Sequence, residues 1–329
     1  VNKTVLITGA CGFLGSNLVE KYLSLGYQVI GIDNFSTGFR KNLDYLNSLN
    51  QEQGKSNRFY FIEGDVTKSW DSLFSSVPSE VIAGTKYVLH FASPASPPLY
   101  QQLPIETILV NTVGLLNCLD FARKFGARVV FASTSEIYGD PEVHPQHESY
   151  WGNVNCFGVR SCYDESKRLG ESIIFSYNQK YGAQHGLIRI FNTYGPRMNP
   201  HDGRVIINFL TQAIRGEPLT IYGDGTQTRS FCFVSDLSEG IYRYTESSLT
   251  EPVNLGNDQE FTINQLVEVI ETLPFNTRPT KTFKPLPKDD PKQRRPDLSK
   301  AKELLNWEPK VSLKEGLLAM KAWLETILD

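Results

Sequence analysis

The first fifteen residues constrain this chain more than any other stretch. Val5-Leu6-Ile7-Thr8 is a short apolar run, and it leads directly into Gly9-Ala10-Cys11-Gly12-Phe13-Leu14-Gly15 and a segment with helical spacing. A strand that enters a glycine-rich turn and leaves as a helix gathers backbone N–H groups at the positive helix end, where a diphosphate is held. Gly9, Gly12 and Gly15 allow the turn and the close approach, while Phe13 and Leu14 open the helix. Asp33 ends the second strand at the spacing of a ribose-binding acid, and Asn34 follows it. A carboxylate at that point accepts from both ribose hydroxyls of NAD and repels the 2′-phosphate of NADP. Asp65-Val66, at the end of the third strand, suits the adenine edge. These residues predict a site for NAD.

The rest of the first half alternates β-branched runs with amphipathic stretches, the mark of a parallel sheet with crossover helices. Strands are predicted at Thr4–Thr8, Gln28–Asp33, Arg58–Ile62, Tyr87–Phe91, Arg128–Ser133 and Gly186–Phe191. Helices are predicted at Phe13–Leu25, Glu106–Phe125 and Cys162–Tyr181. After Phe191 the chain is punctuated by Pro and Gly, with shorter helices near Val205–Ile214, Ile263–Thr272 and Lys300–Leu305. The polar segment Asn47–Asn57 reads as a surface loop. The fold class is therefore α/β: a Rossmann-type doubly wound parallel sheet with a smaller C-terminal substrate-binding lobe. Residues 1–191 form the NAD-binding domain, with about 230–257 returning to it, and residues 192–329 form the lobe. A length of 329 residues suits two lobes sharing a cleft.

A net charge of −3 leaves no basic footprint, which argues against a nucleic-acid partner. The five cysteines form no CxxC pair and no cluster with histidines, so neither a disulfide framework nor a metal site is expected. That usage fits a reducing, cytoplasmic setting. No apolar run approaches the ~18 residues of a membrane span, and Val5–Gly9 already reads as a core strand rather than a secretory signal. A membrane-anchored natural form stays compatible with a sequence beginning at Val1.

Tyr163 and Lys167 stand four residues apart, hence on one helix face. A phenol near pKa ~10 is a poor base at neutral pH; a neighbouring ammonium stabilises the phenolate and lowers that value, as alcohol oxidation requires. Upstream, the strand ending at Ser133 runs into Thr134-Ser135-Glu136, at the sheet edge where ligands sit. Thr134 is placed to bond the hydroxyl that Tyr163 deprotonates, and Glu136 to face a sugar. His90, in an apolar strand, reads as a core residue.

Taken together, Thr8–Gly15, Tyr163 with Lys167, and Arg189-Ile190-Phe191-Asn192-Thr193-Tyr194-Gly195-Pro196 resemble the extended short-chain dehydrogenases that act on nucleotide sugars. Within that family, three stretches are similar to UDP-glucuronate decarboxylases: Phe91–Pro98, Thr134 through Gln146, and Cys162–Arg168. The likeness runs from Val5 to Pro309. Two departures are Ser166, where the family usually has Gly, and a longer loop at Asn47–Asn57. The resemblance implies a lyase in which tightly bound NAD is used and returned, with UDP-glucuronate giving UDP-xylose through a 4-keto intermediate. It implies Thr134, Ser135, Glu136, Tyr163, Lys167 and Arg294 as catalytic residues, with Arg295 an alternative to Arg294. It implies Ser93, Asn192, Arg204, Tyr222 and Arg229 as contacts to the UDP-sugar, and a homodimer through the helices Glu106–Phe125 and Cys162–Tyr181. Competing readings are a UDP-glucuronate 4-epimerase, a nucleotide-sugar 4,6-dehydratase, and a non-enzymatic NAD-bound binding protein. Ser135 separates the first reading from the dehydratases, which carry aspartate there as the acid for a departing hydroxyl.

Overall fold

The computed structural model describes residues 3–52, 58–71, 73–285 and 293–328. Six strands, β1 (Thr4–Thr8), β2 (Gln28–Asp33), β3 (Phe59–Glu63), β4 (Thr85–His90), β5 (Arg128–Thr134) and β6 (Gly186–Ile190), carry most of one sheet. Val253–Leu255 completes it, in the order Val253–Leu255, β6, β5, β4, β1, β2, β3, with every pairing parallel. Parallel strands need covering on both faces, and the near-continuous apolar runs supply that. Along β1, Val5 and Ile7 pack with Leu18, Tyr22, Leu237 and Ile241 on one face. Leu6 points the other way, to Ile30, Val88, Leu115 and Leu119. The order of strands reverses between β1 and β4, which opens a crevice at their C-terminal ends.

Helix α1 (Phe13–Ser24) follows β1 through the glycine turn. Gly9 has φ +71°, and a Cβ there would lie 2.8 Å from the Ala92 backbone. A Cβ on Gly15 would lie 1.9 Å from the Gly9 carbonyl oxygen, so both positions exclude any side chain.

Three expectations change. Asn47–Glu52 is not loop but the end of a helix, Arg40–Glu52; residues 53–57 lie outside the described ones. Leu43, Leu46 and Leu49 recur every third position and lie against the sheet core, a stripe that the surrounding polar residues obscured. The segment Pro104–Phe125 is, by length and composition only, apolar enough to cross a membrane: its most apolar 18-residue window has a mean hydropathy of 1.3, and 44% of that window is buried in the fold, as in a core helix. Scattered charges had hidden this from a search for an unbroken run. That segment is also not one regular helix, because Val110–Gly114 forms a π turn between Pro104–Leu109 and Leu115–Phe125. The unforeseen helix Val234–Glu246 lies against α1 and leads the chain back to Val253–Leu255. Its stripe of Leu237, Ile241 and Tyr244 is diluted by Ser235, Asp236, Ser238 and Gly240.

A second apolar cluster, built on Ile207, Leu210, Leu266, Ile270, Leu317 and Met320, supports the C-terminal region. From it, Ile206, Ile207, Phe209 and Ile263 reach the crevice.

Candidate active site

The crevice contains a cavity of about 420 Å³. Its lining brings together Ser93, Thr134, Ser135, Glu136, Tyr163, Lys167, Asn192, Arg204, Tyr222, Arg229 and Arg294, which lie on eight separate stretches of the sequence. Tyr163 and Lys167 come from the helix Ser161–Tyr181 and are 6% and 3% exposed. The Tyr163 ring stacks on Tyr100 at 5.0 Å between centroids. Lys167 Nζ donates to the Ala132 carbonyl at 2.7 Å and lies 5.7 Å from the Tyr163 ring centre.

The electrostatics correct one expectation. Burial pushes the Tyr163 phenol well up, and a hydrogen bond with Thr134 only partly offsets it. Burial also brings Lys167 down to about 7. The pull of the ammonium on the phenol does not outweigh that burial. Further positive charge is needed at this point.

Beyond β5, a 3₁₀ turn at Ser135–Tyr138 is capped by the Thr134 hydroxyl, which accepts from Glu136 N at 3.2 Å. That turn aims Glu136 between two guanidiniums. Arg160 Nη2 lies 2.5 Å from Oε2, and Arg294 Nη1 lies 2.8 Å from Oε1. Burial raises the Glu136 carboxyl, but Arg294 and Arg160 outweigh it and hold the group well below the usual carboxylate range. Arg294 also donates to Ser135 Oγ at 3.1 Å and to the Gly139 carbonyl at 2.8 Å, and is 2% exposed. Arg295 points away instead, its side chain 40% exposed and 3.9 Å from Glu260. Of the two arginines, Arg294 is the one in the cavity.

On the opposite wall, Arg204 is gripped by both oxygens of Asp202 at 2.5 and 2.9 Å. Arg229 sits on Thr228–Ser230, a short strand paired with Glu260–Thr262, and Tyr222 ends Leu219–Tyr222. Asn192 anchors its segment by accepting from Cys232 N at 2.9 Å through its carbonyl.

A smaller cavity adjoins the first and is lined by Gly9, Gly12, Phe13, Leu14 and Gly15, with Arg197 and Arg204 on its rim. Gly12 begins α1 with no side-chain cap and no acid in the first turn, so the positive helix end faces this space uncompensated. Asp33 Oδ2 accepts from Cys11 N and Oδ1 from Phe35 N, both at 2.8 Å, which fixes the carboxylate beneath the turn. Asn34 accepts from Ser36, and Asp65 from Thr67, each closing a local turn. Val66 is buried against Gly114, and none of Asp33, Asn34, Asp65 and Val66 lines these two cavities. A diphosphate on the α1 terminus with a ribose toward Asp33 fits these residues.

Sequence reading missed Arg160 and Tyr100. The i, i+4 spacing of Arg160 and Asp164 was a legible signal; nothing marked Tyr100. His90 is fully buried, and its ring is held at 2.8 Å by Thr8 Oγ1 and at 2.9 Å by the Val110 carbonyl. Its hydrogen-bonding thus ties the glycine turn to the π turn. Ser166 is bonded to Asn111 at 3.0 Å and to the Tyr163 carbonyl at 3.1 Å. The five cysteines are free, and no metal-ligating cluster occurs among the described residues.

A glycine-turn crevice with a buried Tyr–Lys pair opposite an arginine-lined wall defines an NAD-dependent short-chain dehydrogenase site with room for a second, anionic ligand. Comparison narrows the class. Residues 6–320 match the family profile described as GDP-mannose 4,6 dehydratase. The chain is 49% identical over 321 residues to UDP-glucuronic acid decarboxylase 6 of Arabidopsis thaliana, covering 97% of this chain and 88% of that one. It is 47% identical over 315 residues to UDP-glucuronic acid decarboxylase 1 of Danio rerio, covering 96% and 71%. Among solved structures, it resembles UDP-glucuronic acid 4-epimerase from Bacillus cereus in complex with UDP-glucuronic acid and NAD. That match has 27% identity, a TM-score of 0.84, and coverage of 98% of this chain and 99% of that one. UDP-glucose 4-epimerase from Thermotoga maritima, with UDP-glucose, gives 29% identity, a TM-score of 0.83, and coverage of 99% and 100%. The chain belongs to the NAD-dependent epimerase/dehydratase family.

Proposed function

We propose that this chain decarboxylates UDP-glucuronate to UDP-xylose. The observation that carries the reading is Ser135: the middle position of Thr134-Ser135-Glu136 holds a hydroxyl bonded to Arg294, where expulsion of a sugar hydroxyl would need a carboxylic acid. The decarboxylase relatives at 47–49% identity support the same reading over the epimerases at 27–29%.

Bound NAD+ supplies a hydride acceptor for C4, a store from which that hydride returns, and a fixed positive charge. Tyr163 takes the proton from the 4-hydroxyl, with Thr134 holding the same oxygen. Lys167 and that added charge bring the buried phenol into working range. The resulting 4-ketone stands β to the C5 carboxylate, so the C5–C6 bond breaks and its electrons pass to the ketone oxygen as carbon dioxide leaves. A proton from water at C5, reduction at C4 and return of the Tyr163 proton to the C4 oxygen then give the xylose ring. Glu136, clamped by two arginines, is held as an anion that shapes the sugar site. Ser93 and Asn192 face the sugar and diphosphate, and Arg204, Tyr222 and Arg229 take the UDP, for which a guanidinium fork is suited.

The assembly belongs to the same reading. Ile105, Ile108, Leu109, Leu116 and Leu169 stand exposed on Pro104–Phe125 and Ser161–Tyr181. A second copy packing these helices about a two-fold axis makes a four-helix contact that covers them. Light scattering is the check, and a monomer at micromolar concentration would refute it.

Product analysis tests the reaction. UDP-glucuronate should yield UDP-xylose and one equivalent of carbon dioxide with no net NADH. UDP-galacturonate of unchanged mass would mean an epimerase, and a product lighter by one water from a neutral hexose would mean a dehydratase.

A further inference from the structure

One buried acid takes no part in this chemistry. Asp164 follows Tyr163 on the helix Ser161–Tyr181 and is 6% exposed. Its Oδ1 is fully buried with no hydrogen-bond partner, and its Oδ2 lies 4.0 Å from Arg160 Nε. Arg160 reaches on to Glu136, and Glu136 to Arg294. Four formal charges therefore stand in one contact chain, Asp164, Arg160, Glu136 and Arg294, and the last three line the sugar cavity.

The charge count is informative. Two guanidiniums and one carboxylate leave one positive charge over, and Asp164 decides whether that charge is cancelled. We propose that Asp164 sets the charge at the acidic end of the sugar site: neutral, it leaves one positive charge to recognise a sugar carboxylate, and ionised, it cancels that charge. The inference deepens the decarboxylase reading and rests on it, because only a uronate brings a carboxylate to this position. It also gives the site a way to avoid clamping its substrate. A carboxylate locked in a strong ion pair is a poor leaving group, whereas a shared, partly offset charge binds it without fixing its electrons.

The surroundings fit such a role. Burial pushes the Asp164 carboxyl up to about 7, with Glu136 adding to the rise and Arg160 and Arg294 opposing it. Tyr163 and Glu165 on its own helix and Tyr100 from Pro97–Gln102 also lie near it, and Lys167 and Arg168 follow three and four positions on along the same helix. On Pro104–Leu109, which also packs against this helix, the ionisable residue is the exposed Glu106. By linkage, a bound sugar carboxylate raises the Asp164 pKa further, so uronate affinity falls as pH rises through that range.

The test measures binding, not turnover. In NAD-loaded protein carrying Tyr163→Phe to stop reaction, Kd is titrated for UDP-glucuronate and UDP-glucose from about pH 5.5 to 8.5, a range that brackets the titration. Both ligands share the diphosphate, so its own protonation cancels in the ratio. The preference for UDP-glucuronate should fall with rising pH, about tenfold for each unit by which the sugar carboxylate shifts Asp164. Adding Asp164→Asn should flatten the ratio and hold it near its low-pH value, with the Kd for UDP alone serving as the control on folding. A pH-independent ratio in the parent, or a slope that survives Asp164→Asn, would overturn the inference while leaving the decarboxylase reading intact. If UDP-glucuronate bound no better than UDP at any pH, both would fall together.

Discussion

Arg294 Nη1 meets Glu136 Oε1 at 2.8 Å, so the C-terminal segment closes onto the turn that leaves β5. The arginine is buried and the glutamate half-buried, and the arginine donates at the same time to Ser135 and to the Gly139 carbonyl. One guanidinium thus fixes the anion, the hydroxyl and the backbone of the sugar site. Arg294→Ala should lower kcat by roughly 10²-fold or more, the scale for losing one preorganised donor, while UDP affinity stays nearly unchanged. Steady-state kinetics and a UDP titration check this. An equal loss of both would move Arg294 to the phosphate end.

Tyr163→Phe should cost roughly 10²–10⁴ in turnover as the base is lost. The ring stack on Tyr100 survives this change, so the thermal unfolding midpoint should move little. Near-normal turnover in the variant would remove Tyr163 from the mechanism.

Lys167 gives a stability prediction with a defined sign. Its folded pKa of about 7 lies below its ordinary value of 10.5, so the unfolded chain binds more protons between those values. Folding stability at this site therefore rises with pH across that window. Lys167→Met should abolish turnover, and it should be most stabilising relative to the parent at or below pH 7. That advantage should shrink as pH climbs toward 10.5. Paired unfolding curves at several pH values decide it, because other titrations cancel in the difference. A gap that does not change with pH would show that Lys167 is not held in a desolvated setting.

Asp33→Ala should weaken NAD binding and erase the preference over NADP, because the ribose acceptor and the repelling charge go together. It also leaves the Cys11 and Phe35 amides without an acceptor, a loss of about 1–3 kcal/mol for each if buried and unpaired. Cofactor titration with both dinucleotides and a melting curve test the two effects separately. An unchanged preference would place the ribose contact elsewhere.

The parts of this fold that were readable in the sequence are those in which one physical rule dominates. β1 and β2 were placed to the residue, because a two-faced sheet demands unbroken apolar runs with a glycine turn or an acid at the end. The helix Arg40–Glu52 escaped because its three leucines sit among residues that individually favour loops. The π turn escaped because the hydrophobic spacing of Pro104–Phe125 does not reveal where the hydrogen-bond pattern shifts. In the site, residues tied to a motif were visible. Tyr100 was not, and Arg160 showed only its i, i+4 spacing from Asp164, since the roles of both come from what the fold sets beside them. Arg294 and Arg295 were indistinguishable by spacing and are separated only by which one the backbone turns inward.

The return of Val253–Leu255 to the sheet has a consequence for anyone cutting this protein into pieces. The chain leaves β6 at Ile190, builds much of the arginine-lined wall, and comes back to pair with β6 before it ends. A fragment stopped near residue 191 would lack that last strand and present β6 as a bare edge, the kind of surface that recruits other chains into aggregates. The nucleotide half is therefore not a portable module. Exchanging the C-terminal region with a relative to change sugar preference should require grafting two separate stretches, one on each side of Val234–Leu255, rather than one clean swap.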